Sequence, residues 1–381
     1  MEVIYMKRFA AAVAAVLLVL FAITGCGRGT EQKNSDQNSE NKRISVVTTI
    51  FPPYDFTRQI ADDKADITML LPPGGESHSF EPTPQDIIKI QNCDLFIYVG
   101  GENDQWVRKI LDSVDTSSMK VLALMDMVST VEEEVKEGME DEHDHEQDAD
   151  SDHEHDGDSD HEHDGDSDHE HDGDSDQEHD GSSDLQQENN AAGSDSNPGI
   201  EDADEPEYDE HVWTSPKNAV LITNGILEGL CAADQSNAEQ YRSNAAAYIE
   251  ELNKLDKTFQ TLVDSAARKT IVFGDRFPFR YFADEYGLDY WAAFPGCSTE
   301  TEPSAATVAF LTDKVKEEHI PVIFKIELSN GNIARSISEA TGAKVLTLHS
   351  CHNLSRSDYE NGETYLSLMK KNADALKEAL Y

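Results

Sequence analysis

Basic residues are scarce in this sequence: 30 Lys and Arg stand against 76 Asp and Glu, a net charge of −46 over 381 residues. That argues against a nucleic-acid partner, since phosphate recognition needs a basic footprint. Cysteine is scarce too, five in all, and none forms a C-x-x-C pair. Zinc-knuckle and thioredoxin-type readings therefore find no support. Cys93 and Cys231 read as small buried hydrophobes. Cys297 and Cys351 follow late strands, where an exported compartment permits a disulfide without dictating one. Catalytic fingerprints are missing: there is no G-x-S-x-G, P-loop, H-E-x-x-H or Gly-rich dinucleotide motif. A binding protein is expected, not an enzyme. Beyond the first residues no apolar run is long enough to span a bilayer.

What is present begins at the N-terminus. Lys7 and Arg8 precede an apolar run from Phe9 to Ile23, the pattern of a secretory signal. Ile23-Thr24-Gly25-Cys26 resembles a bacterial lipobox, which implies lipidation of Cys26 and attachment to the cell membrane. The expected division is a signal peptide over 1–25 and a flexible tether over 26–43. An N-lobe over 44–235, a linking helix over 236–267 and a C-lobe over 268–381 follow.

From Ile44 strand and helix signals alternate, the order of a parallel sheet covered on both faces. Pro216 opens a helix, where its missing N–H costs nothing. Between Asn237 and Ala267 there is no Gly or Pro, and Tyr241, Ala245, Tyr248, Leu252, Leu255 and Phe259 recur at helical spacing. That predicts one long helix. The order βα then resumes with a strand at Thr270–Phe273, a helix at Phe277–Tyr286 and further pairs to the end. The fold class is thus α/β: two βα lobes bridged by one long helix.

The acidity is concentrated. From Glu132 to Glu210 there are 36 acids and one base, a charge of −35. Within this insert, about 132–207, Ser151-Asp152-His153-Glu154-His155-Asp156-Gly157-Asp158 recurs with a period of eight. With so few apolar residues the insert cannot offset its ordering entropy and reads as disordered. His143, His145, His153, His155, His161, His163, His169, His171 and His179 make it an auxiliary metal collector. Dense imidazole and carboxylate suit zinc, nickel or copper better than calcium.

Only five histidines lie elsewhere: His78, His211, His319, His349 and His352. His78 falls in the loop Pro72-Pro73-Gly74-Gly75-Glu76-Ser77-His78-Ser79-Phe80-Glu81-Pro82, and His211 in Glu210-His211-Val212-Trp213-Thr214-Ser215-Pro216. His349 ends the last strand. Ligands of open α/β sheets bind outside the carboxyl ends of strands, so these loops can face one cleft. The two motifs and the His-rich insert resemble the solute-binding lipoproteins of zinc and manganese ABC importers. That resemblance implies His78 and His211 as N-lobe ligands and His349 where many members place Asp. It also implies zinc as cargo, with manganese as the alternative, and an ABC-importer permease as partner.

One departure stands out. The family's third ligand, His or Glu, follows the first C-lobe strand, and here that loop reads Phe273-Gly274-Asp275-Arg276. Arg276 cannot bind a metal. Asp275 is the nearest oxygen donor, with Glu327 and His352 as fallbacks and Glu302 as a further carboxylate nearby. Two other readings remain open here: a zinc hydrolase, which shares the three-ligand-plus-water geometry, and a surface metal sponge or adhesin built on the repeat.

Overall fold

The computed structural model describes residues 43–76, 80–139, 207–298 and 302–381. In the first lobe the strands are Ile44–Thr48 (β1), Ala65–Met69 (β2), Leu95–Tyr98 (β3) and Lys120–Ala123 (β4). β1 and β3 are almost wholly buried, as central strands must be when helices cover both faces of a parallel sheet. All neighbours pair in parallel, in the order β2-β1-β3-β4. The crossing helices are α1 (Phe51–Ala61), α2 (Pro84–Gln91) and α3 (Gln105–Leu111). Helix α2 starts where the sequence dictates: Thr83 accepts from the Asp86 N–H, Asp86 caps back, and Pro84 fills the first turn.

Helices α4 (Pro216–Ala233) and α5 (Ala238–Asp264) follow. The 27 residues of α5 make a rod of about 40 Å. Its buried stripe includes Tyr241, Ala245, Tyr248, Leu252, Leu255, Phe259 and Val263. Tyr248 meets Phe56 of α1, whereas Phe259 meets Phe282 and Tyr286 beyond it in the chain. One amphipathic helix therefore belongs to the core of both lobes.

The second lobe repeats the first. Strands β5 (Thr270–Phe277), β6 (Asp289–Pro295), β7 (Val322–Lys325) and β8 (Lys344–Thr347) pair in parallel in the order β6-β5-β7-β8. Its helices are α6 (Arg280–Tyr286), α7 (Ala305–Glu317), α8 (Asn332–Thr341), α9 (Arg356–Glu360) and α10 (Tyr365–Leu380). Strand β5 is longer than expected and α6 starts later. The chain stays extended past a register shift between Phe273 and Arg276, so that Phe277 stacks on Tyr290 at 3.5 Å and Phe279 packs on Phe273. Burial of two aromatic rings outweighs the earlier start of a helix. The short α9, capped by Ser355, lies in a stretch where the sequence carries no apolar periodicity.

Cys93, Cys231, Cys297 and Cys351 are all free thiols, so the permitted Cys297–Cys351 bridge is not formed. Among the described residues no helix is long and apolar enough to cross a membrane. Cys26 and the nine insert histidines lie outside the described residues.

Candidate metal centre

The lobes meet at the carboxyl ends of their strands. A C-lobe loop after β8 reaches into the N-lobe: Trp213 Nε1–H donates to the Ser350 carbonyl at 2.8 Å, and Phe51 N–H to that of His352 at 3.3 Å. Asn353 Nδ2 donates to the carbonyls of Pro72 and Gly75, at 2.9 and 2.8 Å. Between the lobes these contacts leave a cavity lined by Glu76 and His211 from the N-lobe side. Arg276, Glu327, Ser350 and His352 line it from the C-lobe. These C-lobe residues follow or end β5, β7 and β8, where the open-sheet rule puts a ligand.

His211 is the best-prepared donor. It precedes the first turn of α4, where Ser215 accepts from the Asn218 N–H and Pro216 opens the helix. Its backbone N–H donates to Asp209 Oδ1 at 2.7 Å, and its ring Nδ1 lies 3.1 Å from the same oxygen. An ionised carboxylate can only accept, so Nδ1 carries hydrogen and Nε2 is the nitrogen with a lone pair. Burial works against a charged ring here, yet Asp209, with Glu210 and Glu133 behind it, holds the pKa of His211 above its ordinary value. Glu210 itself accepts from Asn103 N–H and Nδ2 at 2.8 and 3.0 Å, and burial pushes its pKa up to about 7.

His352 stands beside His211. The two rings are edge-to-face with centroids 5.4 Å apart, and both touch the Trp213 indole. Glu327 is held by the same loop: it accepts from Ser350 N–H and Oγ–H at 2.7 Å each and from His352 N–H at 3.1 Å. Across the cavity Arg276 Nη1 lies 3.5 Å from Glu76 Oε1, a lobe-to-lobe ion pair whose carboxylate is largely exposed.

The expected residues divide. His211 lines the cavity; His78 lies outside the described residues. His349 does not line it: Asn372 pins its backbone N–H and C=O at 2.7 Å each, and the charges around its ring are Glu327, which does line the cavity, with Lys371, Asp358 and Glu363. Burial holds its pKa below the ordinary imidazole value. Asp275 does not line it either; its oxygens accept the backbone N–H groups of Arg276 and Ile326 at 3.0 and 3.3 Å. Glu302 is also absent from the lining. The fallbacks Glu327 and His352 line the same cavity as His211. Asp209 carries a signal in the sequence, a carboxylate two residues before a motif histidine. Among the described residues no three His, Cys, Asp or Glu side chains converge closely enough to hold a metal by themselves.

Comparison with known proteins bears on this cleft. The family model described as the zinc-uptake complex component A, periplasmic, matches residues 46–379. The zinc-binding lipoprotein AdcA of Streptococcus pneumoniae strain R6 is 32% identical over 345 residues, 90% of this chain but 57% of AdcA. The chain thus spans little more than half the length of that relative. The high-affinity zinc uptake system protein ZnuA of Bacillus subtilis is 31% identical over 374 residues, 97% of this chain and 96% of that one. Among solved structures, the Zn(II)-bound ZnuA-like domain of S. pneumoniae AdcA has a TM-score of 0.62 and 29% identity, over 89% of this chain and 99% of that one. The metal-dependent lipoprotein YcdH of B. subtilis gives 0.64 and 28%, over 89% and 100%. With two parallel-sheet lobes on one shared helix and a match from the first strand to the last helix, the chain belongs to the zinc-uptake complex component A (ZnuA) family.

Proposed function

We propose that this chain captures zinc outside the cytoplasm, held to the membrane by a lipid on Cys26, and passes it to an ABC-importer permease. The observation that carries the reading is His211: a buried imidazole fixed by Asp209 so that Nε2 is its ligating nitrogen, in a cavity lined by both lobes. The carboxylate–histidine pairing is the arrangement that orients metal-bound imidazoles. His352 supplies the second described donor. Two imidazoles on one tetrahedral zinc, with Zn–N near 2.1 Å, have ring centroids about 5.2 Å apart. The His211–His352 separation is 5.4 Å. Glu327 offers an oxygen from the C-lobe, and His78, two residues beyond Glu76, completes the set from the N-lobe loop. Imidazoles favour zinc over manganese, which prefers more oxygen ligands.

Zinc competition titration on single variants tests the assignment. His78→Ala, His211→Ala and His352→Ala should each lose at least about a hundredfold in affinity, more than second-sphere changes usually cost. His349→Ala should lose little. Full affinity in His211→Ala, or manganese bound more tightly than zinc, would refute the reading.

A further inference from the structure

Besides α5, a second stretch of chain joins the lobes. After β4 the segment 131–139 leaves the N-lobe and runs over the C-lobe as a strap. Glu133 accepts from the Cys297 N–H at 2.8 Å, and Glu134 from the Tyr290 hydroxyl at 3.0 Å. Lys136 pairs with Asp289 at 2.5 Å and sits 4.1 Å over the Tyr290 ring. Gly138 lies against Phe310 with φ +89°, where a Cβ would stand 2.4 Å from the ring. The strap is also zipped to the chain that leads into His211. Glu133 N–H donates to the Glu207 carbonyl at 2.9 Å, and Asp209 N–H to that of Val131 at 3.0 Å.

At the centre of this arrangement is one C-lobe hydroxyl. Tyr281, on α6 and only 5% exposed, donates to the Asp209 carbonyl at 2.7 Å and accepts from the Val131 N–H at 3.3 Å. Both capacities of the phenol are used on N-lobe backbone. Asp209 is the residue whose side chain fixes His211. We propose that Tyr281 is a positioning residue for metal capture, coupling the closed arrangement of the lobes to the orientation of His211. The inference rests on the metal-capture reading above. Its consequence is kinetic: while the strap and Tyr281 are engaged, His211 is held in register with the C-lobe donors His352 and Glu327, and release of metal requires that link to open.

In the full chain, Tyr281→Phe removes the hydroxyl and keeps the ring. Zinc dissociation, followed by transfer to an excess of chelator, should accelerate about fivefold, the equilibrium worth of one hydrogen bond. Hydrogen exchange in the metal-free chain should quicken at Val131 and across 209–212. Tyr286→Phe is the matched control: it lies on the same helix, is equally buried and gives up its bond to Asp256 Oδ1 at 2.9 Å. It should lower stability by a similar amount and leave zinc dissociation unchanged. A second route spares the core: Glu134→Ala with Lys136→Ala loosens the strap and should raise dissociation about twofold, a fraction of one hydrogen bond. Unchanged dissociation in both Tyr281→Phe and the strap variant, or equal acceleration in the Tyr286→Phe control, overturns the proposal. Exchange is read without metal, so the two claims separate. Faster exchange at 209–212 in a chain that takes up no zinc would defeat the proposed function and keep the link, whereas normal exchange in a zinc-binding Tyr281→Phe would defeat the link alone.

Discussion

Arg276 is the residue that most distinguishes this cleft. Its permanent positive charge lines the cavity proposed above to take zinc, where it pairs with Glu76. The pair has an exposed carboxylate, so it adds little stability. Arg276→Ala should therefore leave the melting temperature within a few degrees and raise zinc affinity. For a dication taken to lie roughly 6 Å away, near-aqueous screening leaves a repulsion of about 1.4 kcal/mol, roughly tenfold in affinity. The gain should shrink at high salt. Competition titration at two ionic strengths reads both effects, and weaker binding in the variant would show that Arg276 holds the cleft together.

A second residue gives a pH signature unrelated to metal. Asp104 is buried, and one of its oxygens accepts the N–H groups of Val99 and Gly100 at 2.9 and 3.0 Å. Burial outweighs these bonds and raises its pKa to about 6, from 3.8. A carboxyl that is more basic in the folded chain than in the unfolded one favours folding at acid pH, and that advantage is lost as pH rises from about 4 to about 6. Asp104→Asn keeps one acceptor oxygen and removes the charge. It should match the parent near pH 4 and exceed it at pH 7.5 by up to about 3 kcal/mol, the free-energy equivalent of the shift. Urea unfolding at the two pH values measures the difference.

At the scale of elements, the close approach of α8 to β5 depends on one missing side chain. A Cβ at Gly274 would lie 2.5 Å from the Cα and backbone N of Ala334. Backbone cannot swing aside as the end of a side chain can, so Gly274→Ala must push the helix off the sheet. A loss of about 1–3 kcal/mol is expected, the usual cost of overpacking. Thermal unfolding reads it directly. The strap is the other element with functional weight. Its residues are acidic and polar, and nothing in their spacing announces a segment that crosses between lobes.

At the scale of the whole molecule, the acidic insert and the cleft are separable. The described chain enters the insert after Met139, whose side chain is buried in the main core, and leaves it at Glu207, already paired with the strap. Both ends are thus fixed by contacts outside the insert. Removing 140–206 and closing the gap with a short flexible linker should leave the fold and one tight zinc site intact. It should abolish the weaker zinc equivalents supplied by the repeat histidines, which act through local concentration. Calorimetric stoichiometry and zinc-induced thermal stabilisation of the shortened chain test this. Loss of the tight site would place essential ligands within the repeat. A deletion starting earlier, at Glu137, takes away Gly138 and Met139 and should cost stability, because those residues dock on the C-lobe and core.

The sequence by itself determined the layout. Apolar runs four to eight residues long, alternating with amphipathic stretches, are enough to specify two parallel sheets, and the absence of Gly and Pro over thirty residues is enough to specify α5. The functional loops were legible for the same reason, since in such sheets ligands meet the carboxyl ends of strands. What only the tertiary structure decided was which of the described loop side chains line the cavity between the lobes. His349 and His352 are three residues apart in one loop, and both are imidazoles at a strand end. Asn372 on α10 pins the backbone of the first, while Glu327 and Trp213 hold the second against His211. Those partners lie from about twenty to well over a hundred positions away in the chain, so no local pattern could weigh them. Asp275 likewise accepts from the backbone of Ile326, beside the strand β7 that pairs with β5. Periodicity and composition act along the chain and can be read from it; the direction a loop side chain takes is set by hydrogen bonds that exist only after distant segments have packed together.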